Sequence, residues 1–306
     1  MKRLLLTGAS GFLGRACCLQ AIAKGFEVVS VSYQRDGIIH EQVEHIRGNL
    51  LNRDFVREVV RGASPSHLLH LAWCTEHGKF WTDPANIKWL QTSLLLLQCF
   101  ADQGGQRAVF VGSCAEYDWR YGICSEEHTP QRPWSLYGSC KQALSIAVES
   151  FSKHVHLSTA WARLFYLFGP YEPQTRLVPS AITAFINRKP FLCSDGTQIL
   201  DFLYVDEAAA GILALLESSV QGPVNVASGT PIRVSELISM IASRLEGENL
   251  IQWGSLARPD QDPVILVADI SRLTKEVCWI PSHDILTAVE KTITWWKQQC
   301  GVKNDE

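Results

Sequence analysis

Short apolar runs alternate with longer amphipathic stretches through the first half of the chain. The apolar runs predict β-strands at 3–7, 27–32, 67–72, 108–113 and 157–165. The stretches between them predict α-helices at 12–24, 52–62, 86–103 and 136–153. Strands that alternate with helices of this length are joined by crossover connections, which produce a parallel sheet. The pattern therefore predicts an α/β fold.

The second half of the chain is less regular, and Gly and Pro become frequent around 169–179. The predicted elements there are helices at 178–187, 206–217, 233–245 and 284–298, and strands at 202–205 and 223–226. We expect a first domain over 1–168, joined by returning segments at about 200–230, and a smaller C-terminal lobe over 169–306.

Composition narrows the class of protein. The 306 residues are 46% hydrophobic and 19% charged, which is typical of a soluble globular enzyme. A net charge of -3 gives no basic surface for nucleic acid or an anionic membrane, and no apolar run approaches a membrane span. The ten cysteines are scattered without a C-x-x-C pair, so we expect no metal site, reduced thiols and a cytoplasmic location.

A glycine-rich segment follows the first predicted strand and opens the first predicted helix. Gly8, Gly11 and Gly14 allow a tight turn, a close backbone approach to a phosphate and close packing of helix on strand. The helix N-terminus adds free N–H groups and a positive dipole end. These features favour a dinucleotide pyrophosphate site, although an ordinary strand-to-helix turn also uses glycines.

A second motif lies on the predicted helix over 136–153. Tyr137 and Lys141 are four residues apart, so they lie on one face of that helix. A lysine ammonium so close to a phenol is expected to lower the phenol pKa, which suits proton transfer near neutral pH. Ser113 ends the strand-like run upstream. The alternative is a surface Tyr/Lys pair without chemistry.

Several segments in one order resemble the extended short-chain dehydrogenase/reductases, specifically the nucleotide-sugar epimerase, dehydratase and ketoreductase group. The matching segments are TGASGFLG at 7–14, HLAW at 70–73, GSCAEY at 112–117, YGSCK at 137–141, RLFYLFGP at 163–170, RLVPSAI at 176–182, DFLYVDEAA at 201–209, NVASG at 225–229 and ADISRL at 268–273. The resemblance implies a Rossmann-type doubly wound parallel sheet, with the C-terminal lobe binding a nucleotide-diphosphate sugar.

The resemblance also implies residue roles. Ser113 and Tyr137 would hydrogen-bond the sugar oxygen, with Tyr137 as acid/base and Lys141 tuning it, while hydride passes between a nicotinamide and a sugar carbon, most often carbon-4. The cofactor would contact Gly8, Ser10, Gly11, Phe12, Leu13, Gly14, Ser32, Arg35, Asn49, Leu50, Leu71, Ala72, Tyr137 and Lys141. Trp73 and Cys114 would contact the substrate, and Trp81 and Trp119 are the other tryptophans expected near the site.

The position of the catalytic hydroxyl depends on register. Counting back from Tyr117 gives Ser113, whereas sliding by one residue gives Cys114 and puts Glu116 at an acidic position of the dehydratases. Cysteine is a poor hydrogen-bond donor, so we prefer Ser113. In that register Cys114 and Ala115 replace the dehydratase acid pair, which argues against 4,6-dehydratase activity.

The end of the second predicted strand bears on the cofactor. NAD-binding folds usually carry Asp or Glu there for the ribose hydroxyls, whereas this chain has Ser32 and then Arg35. A serine and an arginine accommodate a 2′-phosphate, so we favour NADP(H), with NAD(H) as the alternative if Asp36 binds the ribose. Asn49 would contact the adenine edge.

The C-terminal lobe supplies candidate contacts to the diphosphate. Arg176 and Arg258 stand where the family binds the nucleotide, and a guanidinium suits bidentate phosphate contacts. Both could instead be surface charges. Leu200 replaces a common Arg, and Tyr166 replaces a common Asn. These departures weaken any inference about which nucleotide is bound.

The sequence thus predicts an NADP(H)-dependent reductase of a nucleotide-linked 4-keto-6-deoxy sugar. A nucleotide-sugar 4-epimerase with tightly bound NAD is the alternative, and a catalytically idle binding protein on the same fold is a remote one. A homodimer is expected through a four-helix bundle of helices 86–103 and 136–153. The apolar run Leu94–Leu97 suits that bundle, but an intramolecular core explains it nearly as well.

Overall fold

The computed structural model describes residues 2–33, 40–74, 76 and 78–301. Within them the strands are β1 (Arg3–Thr7), β2 (Glu27–Ser32), β3 (Glu44–Arg47), β4 (His67–His70), β5 (Arg107–Ser113), β6 (Ile123–Cys124), β7 (Ser158–Leu164), β8 (Tyr166–Phe168), β9 (Phe191–Leu192), β10 (Ile199–Tyr204), β11 (Gly222–Val226), β12 (Pro231–Arg233), β13 (Ile251–Gln252) and β14 (Ile265–Ala268). The helices are α1 (Phe12–Ala23), α2 (Arg53–Ala63), α3 (Ala85–Asp102), α4 (Leu136–Val155), α5 (Leu177–Ile186), α6 (Val205–Glu217), α7 (Val234–Arg244), α8 (Ser271–Lys275) and α9 (Ile285–Gln299).

Seven strands form the main sheet in the order β11-β7-β5-β4-β1-β2-β3, and every pairing in it is parallel. From β1 the chain builds outward through β2 and β3, then crosses back to β4 and builds in the other direction. The strand order therefore reverses between β1 and β4, and a crevice opens beyond their carboxyl ends. This arrangement confirms the predicted Rossmann-type α/β fold.

Helices cover both faces of this sheet. On one face α1 packs against α6, and their apolar residues form one core cluster with β1, β7 and β11. On the other face α2, α3 and α4 pack side by side over β4 and β5. Because both faces are buried, the central strands are nearly continuous apolar runs, which is why the sequence pattern located them.

A smaller sheet carries the second core. Its strand order is β12-β10-β14-β6, and β8 pairs with the last three residues of β10. Helices α5, α7 and α9 pack on one another and share a core cluster with β10. The strand β11 returns to the main sheet beside β7. The domain boundary expected at residue 168 stays a prediction.

Strand β3 is the element of the main sheet that the sequence analysis missed. It lies at the sheet edge beside β2, and Ile46 is its one aliphatic residue. An edge strand that is only half-buried needs no apolar run, so the pattern gave no signal. Within the described part of the chain, no helix has the length and apolar character needed to cross a membrane.

Candidate active site at the carboxyl edge of the main sheet

The glycine turn after β1 is shaped by close backbone approaches. Gly8 has φ +75, and a Cβ there would lie 2.8 Å from the Ala72 nitrogen. A Cβ on Gly14 would lie 2.0 Å from the Gly8 carbonyl oxygen. Gly11 is the N-cap of α1, so the helix N-terminus opens at the crevice between β1 and β4. This cradle fits an anionic pyrophosphate, because free N–H groups and the positive helix end converge there.

The remaining predicted cofactor residues around the turn lie on the first turn of α1 and on the loop after β4. Phe12 and Leu13 begin α1 and are half-buried against the core. Ser10 lies within the turn itself. The Leu71 N–H donates to the Thr7 carbonyl at 3.3 Å, which extends the β1–β4 contact beyond the strands.

A buried histidine links the ends of β1 and β4, and sequence reasoning gave it no role. The His70 Nδ1 lies 2.7 Å from the Thr7 hydroxyl, and its Nε2 lies 2.8 Å from the Ser93 hydroxyl on α3. Burial, with a further contribution from Lys141, lowers the pKa of His70 to about 3. The ring is therefore neutral, and it fixes the crevice walls by hydrogen bonds alone.

Ser113, Tyr137 and Lys141 meet at the same edge of the sheet. Ser113 ends β5, while the Ser135 hydroxyl accepts the Gly138 N–H and starts α4, which places Tyr137 in its first turn. The Ser113 side chain is near enough to Tyr137 to act on its pKa. Lys141, one turn later, donates from Nζ to the Val111 carbonyl at 2.8 Å.

The electrostatics of Tyr137 differ from the expectation. Burial raises the pKa of Tyr137 above its usual range, while the hydrogen bond with Ser113 and the charge of Arg176 act to lower it. The predicted net lowering by the neighbouring lysine is therefore wrong for this structure, because desolvation outweighs nearby favourable charges. Burial also lowers the pKa of Lys141 to about 7, against the opposing charge of Glu116.

Trp73 contacts the lysine directly. The Lys141 Nζ lies 3.9 Å from the centroid of the Trp73 ring, within the range of a cation–π interaction. The Trp73 indole N–H donates to the Asn86 side chain at 2.7 Å, and Asn86 is fully buried and donates to the Phe80 carbonyl. Trp73, predicted as a substrate contact, thus presents a ring face to Lys141.

Several aromatic rings pack around Tyr137. The ring centroids of Phe80 and Trp81 lie 4.9 Å and 5.8 Å from that of Tyr137. Trp119 contacts Trp81 edge-on at 6.0 Å. The structure therefore brings the three tryptophans expected near the site to the surroundings of Tyr137, and it adds Trp134, 5.0 Å from Trp81, which sequence reasoning missed.

The turn that follows Ser113 contains Cys114, Ala115 and Glu116. Cys114 and Ala115 are buried in the two positions that follow Ser113. Burial raises the pKa of the Cys114 thiol, so it stays protonated at neutral pH. Glu116 is fully buried and pairs with Arg163. These side chains therefore offer no acid pair to a substrate.

The predicted nucleoside end of the cofactor site is only partly described. Ser32, the last residue of β2, is buried, and its hydroxyl lies 3.2 Å from His45 Nε2 on β3. Arg35 lies outside the described residues. Asn49 accepts the Leu51 N–H, closing a local turn, and Leu50 is buried with its carbonyl accepting the Thr92 hydroxyl.

The two predicted phosphate-binding arginines occupy different surroundings. Arg176, the N-cap of α5, lies 6.0 Å from the Phe80 ring. Its charge acts to lower the pKa of Tyr137. The structure thus brings Arg176 to the site. Arg258 lies in a loop, 3.5 Å from the hydroxyl of Thr197, which precedes β10 of the smaller sheet. Leu200 is buried in the core there, so the missing arginine leaves an apolar position.

Comparison with known proteins gives a consistent result. A family model described as the NAD dependent epimerase/dehydratase family matches residues 4–227. A UDP-glucose 4-epimerase of Rhizobium meliloti (strain 1021) is 27% identical over 96% of this chain and 97% of its own. The crystal structure of a Thermotoga maritima UDP-glucose 4-epimerase with UDP-glucose superposes with a TM-score of 0.88 at 17% identity, covering 97% and 99% of the two chains. A Bacillus cereus UDP-glucuronic acid 4-epimerase, in complex with UDP-glucuronic acid and NAD, superposes at 0.87 with 22% identity, covering 98% and 100%.

Proposed function

Because the chain belongs to the NAD dependent epimerase/dehydratase family, we propose that it is a nucleotide-sugar 4-epimerase. The observation that carries this proposal is the meeting of Ser113, Tyr137 and Lys141 beside the glycine cradle of β1 and α1. The hydroxyl, the phenol and the buried ammonium of these residues could together hydrogen-bond one sugar oxygen and transfer its proton. The main activity predicted from the sequence, ketoreduction, has less support than this alternative.

The glycine cradle would hold a nicotinamide dinucleotide, whose bound nicotinamide supplies a hydride acceptor and donor for a sugar carbon. Gly8 and Gly14 allow the tight turn that brings the N-terminus of α1 to the crevice, because a Cβ at either position would meet backbone atoms. We favour NAD, since solved relatives contain it. The NADP(H) preference predicted from Ser32 and Arg35 is the second choice.

The chain's own residues would move and hold the proton of the sugar 4-hydroxyl. The Ser113 oxygen accepts the Ala115 N–H at 3.2 Å, and its own hydrogen would be donated to Tyr137 or to the sugar oxygen. As a phenolate, Tyr137 would take the proton of the sugar hydroxyl, and as the resulting phenol it would return that proton. A pKa of about 7 leaves Lys141 partly charged at neutral pH, and that charge would stabilise a phenolate one helix turn away.

The surroundings of the site favour epimerisation over dehydration. Elimination of water needs an acid/base pair after the catalytic hydroxyl, and Cys114 and Ala115 occupy those positions. The relatives include 4-epimerases of three UDP-sugars. Ketoreduction of a nucleotide-linked 4-keto sugar is the second candidate, because Ser32 ends β2 without a carboxylate.

The test is to incubate the purified protein with UDP-glucose, UDP-N-acetylglucosamine or UDP-glucuronic acid and to follow the C4 epimers by NMR. We expect interconversion without net consumption of NAD(P)H, and a drop of about 10³-fold in rate for Tyr137→Phe. Oxidation of NADPH that depends on an added 4-keto sugar, without interconversion, would establish the reductase instead. Intact cellular function in Tyr137→Phe would favour the idle binding protein.

We further propose a homodimer through α3 and α4. Leu96 and Leu97 are buried in the protein's own core, whereas Ile87 and Ile146 expose 43% and 60% of their surface. Exposed isoleucines on neighbouring helices suit a helix-bundle contact. Light scattering should give twice the chain mass, and Ile146→Lys should reduce it to one.

A further inference from the structure

A buried carboxylate supports the turn that carries Ser113. The Glu116 Oε1 accepts the Ser113 backbone N–H at 2.8 Å, while the Ser113 hydroxyl accepts the Ala115 N–H. Each of the two side chains thus accepts a backbone N–H from the other end of the turn, which is the arrangement called a capping box. This arrangement fixes the backbone of Ser113 and the direction of its hydroxyl together.

An arginine from the next strand holds that carboxylate. The Arg163 Nε donates to Glu116 Oε2 at 2.8 Å, and the exposed fractions of the two side chains are 1% and 0%. The Trp161 indole N–H donates to the same carboxylate at 3.0 Å. Both donors lie on β7, which pairs with β5 beside Ser113, so the main sheet anchors the turn.

The hydrogen-bond network continues away from the site, and both oxygens of Glu116 accept hydrogen bonds within it. The other end of Arg163 donates to the Tyr117 hydroxyl at 3.0 Å, which donates in turn to Asn225 on β11 at 2.8 Å. A Cβ on Gly112 would lie 2.4 Å from Glu116 Oε1, so the carboxylate is also confined sterically. With both oxygens bonded and the side chain fully buried, the Glu116 carboxylate is out of reach of a substrate, and its role is geometric.

We propose that Glu116, held by Arg163, is a positioning residue that fixes the Ser113 hydroxyl opposite Tyr137. The proposal rests on the proposed function, since it assigns Ser113 a part in the chemistry. A buried ion pair is otherwise a poor source of stability, because desolvation offsets its attraction. Satisfying the donors at the turn gives this pair a physical purpose.

The test is a double-mutant cycle with Glu116→Gln and Ser113→Ala, measured as C4-epimer formation. The glutamine keeps the shape but turns one acceptor into a donor, which then faces Arg163 or Trp161. We expect kcat to fall about 10- to 100-fold with KM changed less than twofold, and no further fall when Glu116→Gln is added to Ser113→Ala. Additive effects would overturn the proposal, because the residue would then act independently of Ser113.

Arg107 supplies a matched control. It is also buried on β5, but at the opposite end, where its guanidinium donates to the Leu215 and Val220 carbonyls. Arg107→Met should lower the melting temperature. Its effect on kcat should be the same in the wild type as in Ser113→Ala. If Glu116→Gln fails to fold, Arg163→Lys, which keeps the charge but not the two-ended bridge, takes its place.

Hydrogen exchange gives a readout that needs no substrate. In Glu116→Gln the amides of 112–117 should exchange at least 10-fold faster, with the protection of α2 unchanged. Unchanged exchange at 112–117 would overturn the proposal even if the enzyme is active. A wild-type protein that is inactive on every nucleotide sugar, but shows this local loss, would refute the proposed function and leave the support of the turn established.

Discussion

The proposed chemistry requires Lys141, but burying this lysine should lower the stability of the fold. Replacing it should therefore stabilise the protein. Its side chain is 4% exposed, and burial lowers its pKa from 10.5 to about 7. At 1.36 kcal/mol for each pKa step, this difference corresponds to about 5 kcal/mol. Lys141→Met removes the ammonium and keeps a flexible apolar stem of similar length.

The sign of the pH dependence follows from proton linkage. The pKa of Lys141 is lower in the folded chain, so the unfolded chain binds more protons between pH 7 and 10.5. Wild-type stability therefore gains from this group as pH rises through that window. Lys141→Met lacks the dependence, so its advantage over the wild type should be largest below pH 7 and shrink by about 2–5 kcal/mol by pH 10.

Urea denaturation of both proteins at pH 6, 8 and 10 measures this difference. The lost hydrogen bond from Nζ to the Val111 carbonyl changes the offset at every pH but not the trend. Lys153→Met on the same helix is the control, since that side chain is 74% exposed and should change stability by less than about 1 kcal/mol at each pH. An equal stability difference between wild type and Lys141→Met at pH 6 and 10 would refute the reasoning.

Two further predictions concern the glycine cradle and the thiols. Gly14→Ala places a methyl 2.0 Å from the Gly8 carbonyl, so thermal melts should show a loss of at least about 2 kcal/mol and calorimetry should show no NAD binding. Gly62 lies inside α2, and a Cβ added there meets no atom within 4 Å. Gly62→Ala should therefore gain about 0.5–1 kcal/mol of stability, because glycine loses more conformational freedom than alanine in a helix. A loss of stability would contradict this reasoning. Iodoacetamide should label the exposed Cys278 of the native protein and spare Cys114, whose pKa is raised by burial; rapid labelling of Cys114 read by mass spectrometry would show that the turn opens.

The sequence predicted most of the main sheet because its strands are buried on both faces. The strands β1 and β2 have the predicted bounds, and α3 is displaced by one residue from its predicted range. The short strands β6, β9 and β13 have two residues each and gave no period to detect. Their positions depend on pairing with distant segments, as β6 does with β14, and local patterns contain no such information.

The candidate site divides in the same physical way. Tyr137 and Lys141 lie one helix turn apart, and Thr7, His70 and Ser113 each end a parallel strand, so periodicity and the carboxyl-edge rule bring them together. Their electrostatics depend on contacts that bridge tens of residues. The cation–π contact of Lys141 joins segments that no sequence period relates, and so does the bond between Arg163 and Glu116.

These long-range contacts explain why the predicted pKa effect had the wrong sign. A pair read from the helix period alone is treated as though water surrounded it, and the ammonium then lowers the pKa of the phenol. In the folded chain the sheet, Trp73 and Phe80 exclude water from Tyr137 and Lys141, and desolvation becomes the largest influence on both. Each group then favours its neutral form, so the phenolate that takes the sugar proton depends on the charge that Lys141 keeps at a pKa of about 7.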